Sequence, residues 1–110
     1  MSTHKTEIIH QTKRGYVLSC ICCRDFQIGF GNMLLVYKME EFEGFKTYID
    51  SINPNNVHFK SPIGRHIYIK MEDMNFGYCI SKEELIELKE LLNISEGILQ
   101  LKEMVAEALQ

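Results

Sequence analysis

The chain has 110 residues, 45% of them hydrophobic, which suits one domain around one core. Its formal charge of −3 argues against a general nucleic-acid binder, which carries a basic face. No apolar run approaches the ~20 residues that span a bilayer, and the opening MSTHKTEIIH lacks the apolar core of a signal peptide.

The charge is unevenly spread. Residues 1–38 hold five Lys or Arg against two acids, a net of +3, whereas residues 81–110 hold three Lys against seven Glu, a net of −4. Such a dipole can help ends of neighbouring chains associate, but a solvated acidic helix is the favoured reading. Three of the four cysteines lie within four residues. That crowding is not the framework of a secreted disulfide protein, so a cytoplasmic location with reduced thiols is expected.

In chain order, residues 6–11 (TEIIHQ) have strand character and Thr12-Lys13-Arg14-Gly15 reads as a turn. A two-residue loop at Lys13-Arg14 sets His10 opposite Val17, Glu7 opposite Cys20 and His4 opposite Cys23. YVLSCI and FQIGF follow as strands, joined through Cys22-Cys23-Arg24-Asp25. Gly31-Asn32 then places glycine at the first central position of a type II′ hairpin, which requires positive φ there. This turn sets Phe30 against Met33, Ile28 against Leu35 and Phe26 against Tyr37, all apolar or aromatic. A helix is expected over about 39–52, with Phe42, Phe45, Ile49 and Ile52 on one stripe and Glu40 and Glu41 in its first turn. Pro54 ends it.

The pattern then starts again. VHFKS alternates as a strand, HIYIKM aligns Ile67, Ile69 and Met71, and FGYCI aligns Phe76, Tyr78 and Ile80. A four-residue loop pairs Met71 with Phe76, Ile69 with Tyr78 and Ile67 with Ile80. Ser81 opens a helix with Glu84 completing a capping box, and Leu85, Leu88, Leu91 and Leu92 form its stripe. A shift of 43 residues superposes Asn32 on Asn75, Glu40 on Glu83, Glu41 on Glu84 and Lys46 on Lys89. The fold class read from this is α+β: two antiparallel βββα units, about 15–52 and 56–92, sharing one core as an internal pseudo-repeat. An extra strand precedes them and a separate helix over about 95–109 follows. Ile94, Ile98, Leu101, Val105 and Ala108 give that last helix a narrow apolar seam, suited to its own domain or to a homo-oligomer contact.

Chemistry concentrates at the cysteines. Cys20 and Cys23 have the C-x-x-C spacing that lets a knuckle aim two thiolates at one zinc ion, with His4 as a third ligand if the N-terminal register holds. The competing account treats Cys20 and Cys22 as small buried hydrophobes on one strand face, and places Cys79 in the core. A redox C-x-x-C normally opens a helix, and here a strand follows. No phosphate loop, nucleophile elbow or His-Glu-x-x-His pair occurs, so no catalytic residue is assigned. Tyr68 shares a polar strand face with His66 and Lys70, a small trio of the kind that stacks RNA bases; the other strand aromatics share faces with Ile, Leu or Met and belong to the core.

The arrangement GYVLSC-x-CC-x3-QIGFGN, followed by a strand and an acidic helix, resembles a small uncharacterised bacterial family of about 110 residues found in Bacteroidetes-type genomes. The resemblance implies a bacterial cytoplasmic protein and carries no established activity or site residues. The function expected is that of a small non-catalytic interaction or accessory domain that associates with itself. The alternative is a zinc-binding module at Cys20 and Cys23, and an enzyme with an unrecognised pocket comes third.

Overall fold

The computed structural model describes residues 5–56, 60–71 and 75–109. Four strands, β1 (Thr6–Gln11), β2 (Gly15–Cys20), β3 (Phe26–Phe30) and β4 (Met33–Tyr37), form an antiparallel sheet in sequential order. Helix α1 (Met39–Ser51) follows, then a two-stranded sheet of β5 (Ile67–Lys70) and β6 (Gly77–Ile80), then the long helix α2 (Lys82–Ala108). The fold is α+β. Residues 57–59 of the expected strand VHFKS and most of the loop before Phe76 lie outside the described residues, and residues 60 and 61 are not in a strand.

The hairpin of β3 and β4 has the expected register, with Phe26 facing Tyr37, Ile28 facing Leu35 and Phe30 facing Met33. Gly31 takes φ +57° at the turn, a conformation that glycine adopts without steric cost. Ile67 faces Ile80 and Ile69 faces Tyr78 in the second sheet, as the alternation requires. Met71 and Phe76 fall beyond the ladder, and Phe76 is exposed.

The first hairpin departs from a constant register. Gln11 faces Tyr16 and His10 faces Val17, but a bulge between Ile8 and His10 then shifts the pairing by one. Glu7 therefore faces Ser19 rather than Cys20, and Cys20 faces Thr6. Ile9 is the extra residue at the bulge and is buried, whereas Ile8 is exposed. The steady register that set His4 opposite Cys23 does not hold along β1, and His4 itself lies outside the described residues.

One core gathers side chains from both sheets and both helices. Val17, Ile28, Phe42, Ile49, Ile69, Leu85, Leu88, Leu91 and Leu92 are fully buried in it. The ends of the helices are set by local chemistry. Ser81 Oγ accepts the N–H of Glu84 (3.1 Å) while the Glu84 carboxylate accepts the N–H of Ser81 (2.8 Å), the expected capping box.

The expected break before Ser95 does not occur: α2 runs unbroken through it. Ser95 is fully buried inside the helix rather than capping one. Asn93 donates to Lys89 O (2.8 Å) and to Asp50 Oδ1 of α1 (2.9 Å), so a residue that often ends helices here ties two together. Cys79, expected in the core, is exposed, because strand alternation turns it away from buried Ile80.

Candidate metal centre

The β2–β3 connection builds the cysteine site. Strand β2 ends at Cys20, whose N–H donates to Asp25 O (2.8 Å) and closes a four-residue loop, Ile21 to Arg24. Within the loop the Arg24 N–H donates to Cys20 O (3.0 Å), forming one helix-like turn. Arg24 leaves that turn at φ +59°, the left-handed conformation that lets the chain re-enter the sheet. The Ile21 N–H donates to Lys5 O (2.9 Å) and moors the loop to the residue before β1.

That turn folds Cys22 and Cys23 back over Cys20. The three Sγ atoms lie within 4.8 Å of one another, with Cys20 and Cys22 Sγ 3.5 Å apart. Cys20 is 8% exposed, Cys23 is half-buried and Cys22 is exposed, so the group opens to solvent on one side. None of the four cysteines is in a disulfide. The account that put Cys20 and Cys22 on one strand face fails because the strand stops at Cys20.

The electrostatics favour a thiolate. The Cys23 thiol and then the Cys23 N–H (3.4 Å) hydrogen-bond to Cys20 Sγ, and Cys22 adds to them. Together they outweigh burial and bring the Cys20 thiol down to about 6. Cys23 moves the other way, held protonated chiefly by the hydrogen bond it makes to Cys20. Lys38 pairs with Asp25 beside the loop. Its ammonium is kept charged to higher pH by that hydrogen bond, with a smaller contribution from Cys23.

A cation bonded to sulfurs at about 2.3 Å holds them roughly 4 Å apart, so the observed group closes on an ion with side-chain movements of about 1 Å or less. The structure thus brings together Cys20 and Cys23, and adds Cys22, which C-x-x-C spacing alone passes over. The signal for Cys22 was the full Cys-x-Cys-Cys run in a connection too short to carry the thiols apart.

His66 and Glu41, polar candidates in the sequence, have structural partners. His66 Nδ1 accepts the Ser61 N–H (3.0 Å), and Glu41 accepts the N–H of Lys38 (2.9 Å) at the start of α1. A cavity beneath the Gly31-Asn32 turn is lined by Arg14, Arg65 and Glu84, but Arg65 pairs with Glu84 and Arg14 with Glu87. No helix among the described residues is long and apolar enough to cross a membrane. No curated protein and no solved structure matches the chain. Residues 1–107 match the model of a family of unknown function, DUF6686, and the chain belongs to that family.

Proposed function

We propose that this chain is a small, non-catalytic accessory domain that holds a metal ion, zinc or a softer cation, in a cytoplasmic, thiol-reducing setting. One observation carries the reading: three sulfurs converge within 4.8 Å at a hairpin tip where hydrogen bonds from the Cys23 thiol and then its N–H favour a thiolate at Cys20. The test is elemental analysis of protein purified without chelators and kept reduced. Near-stoichiometric metal, lost in the Cys20→Ser, Cys23→Ser double variant, is the expected result. A folded wild-type chain that holds no metal overturns the reading.

The second reading is self-association through the end of α2. The stripe of α2 that faces the core runs through Leu85, Leu88, Leu92 and Ser95, all fully buried. Beyond it, Leu101, Met104 and Val105 are 61%, 65% and 51% exposed, and every residue from 101 to 109 is exposed. Unpartnered apolar residues at this density favour a contact with a second helix. Sedimentation of the purified chain is expected to show a dimer that a Leu101→Glu, Val105→Glu variant dissociates. A monomer at every concentration contradicts it.

The twofold plan of the fold belongs to the same reading. Glu41 and Glu84, 43 residues apart, each accept the N–H of the residue before their helix. Of the matched pairs, Phe42 and Leu85, Phe45 and Leu88, and Ile49 and Leu92 are buried, while Tyr48 is half-buried where its match Leu91 is fully buried.

A further inference from the structure

Building on the metal-holding reading above, we propose that Cys20, Cys22 and Cys23 act together as a three-thiolate site for monovalent copper. The C-x-x-C pair does not define the group by itself: Cys22 Sγ sits 3.5 Å from Cys20 Sγ, and all three sulfurs converge within 4.8 Å. No histidine or carboxylate joins them among the described residues, and the neighbouring Asp25 is engaged by Lys38. Structural zinc sites close with four ligands, and the described residues bring three sulfurs together here. Zinc with three protein ligands and an open position belongs to catalytic sites, which work inside a shaped, dry cavity. This cluster stands on a hairpin tip with Cys22 exposed. Copper(I) is a soft ion that thiolates satisfy without nitrogen or oxygen donors. Binding forms three Cu–S bonds and releases the thiol protons to water; no electron moves, because the ion enters as Cu(I). The cation of Lys38 beside the loop offsets part of the negative charge that three thiolates leave around a monovalent ion.

The test is an anaerobic competition on the reduced, full chain, with Cu(I) offered as its bicinchoninate complex and Zn(II) as its pyridylazoresorcinol complex. The expected result is one Cu(I) withdrawn per chain while zinc stays with its chelator. Cys22→Ser, at an exposed position and expected to keep the wild-type circular dichroism, is expected to weaken Cu(I) retention at least about tenfold. His4→Ala is expected to change nothing. Zinc withdrawn by both the wild type and Cys22→Ser, and lost with His4→Ala, overturns the copper assignment while leaving the metal-holding reading in place. Equal Cu(I) retention by Cys22→Ser also overturns it. Failure of the folded chain to withdraw either ion overturns both.

Discussion

Glu87, in the second turn of α2, accepts three hydrogen bonds from the β1–β2 turn. Thr12 Oγ1 and the Arg14 N–H both reach Oε2 at 2.7 Å, and Arg14 Nη1 reaches Oε1 at 2.6 Å. Burial pushes the carboxyl up, but the bonds from Thr12 and Arg14 together outweigh it and hold its pKa below the usual glutamate range. A carboxylate with a depressed folded pKa contributes stability that is full above its unfolded pKa and is lost as the pH falls through the folded value. Glu87→Ala is therefore expected to cost about 2 kcal/mol at neutral pH, since hydrogen bonds to charged groups are worth more than neutral ones. The deficit relative to wild type should shrink as the pH drops below the ordinary glutamate range. Urea denaturation of both proteins across pH 3 to 7 measures it (a window of about four units around that range). A deficit independent of pH contradicts the assignment.

At the scale of elements, the continuity of α2 makes Ser95 the informative position. Its hydroxyl is fully buried with no hydrogen-bond partner among the described residues. An N-cap serine replaced by alanine costs about 1 kcal/mol, whereas a buried hydroxyl with no partner costs stability while it is present. Ser95→Ala is expected to leave the melting temperature unchanged or raise it; a fall matching a lost cap would point to two helices. The reason α2 was legible only in part is physical. Ser95 followed by Glu96 and a fresh apolar period has the local look of a helix start, and the interactions that carry the helix through are non-local, between Asn93 and Asp50 and between Leu91, Leu92 and the sheets. The β3–β4 hairpin was fully legible because glycine at the turn and three facing apolar pairs specify the same register. The Ile9 bulge was not, since two adjacent isoleucines give no local sign of which one turns inward.

Across the whole molecule, the thiol knuckle and the exposed end of α2 share one end. Lys102 of α2 pairs with Glu7, Glu7 faces Ser19, and Ser19 precedes Cys20. With 27 residues, α2 is about 40 Å long, and its last turns overhang the sheet they leave behind. The molecule is accordingly extended, 53 Å along its longest axis against 33 and 27 Å across. The overhang belongs to the acidic end of the chain and the knuckle to the basic one, so the charge asymmetry visible in the sequence meets at this pole. The candidate site was legible to the extent that spacing is local. Cys20 and Cys23 announce a knuckle, while the inclusion of Cys22 depends on a turn closed by a left-handed Arg24.

X-ray absorption at the edge of whichever ion the reduced protein carries addresses the thiol site most directly. A first shell dominated by sulfur at about 2.3 Å, and depleted of sulfur in Cys22→Ser, is the predicted result. A shell of nitrogen and oxygen donors unchanged by that substitution would contradict it.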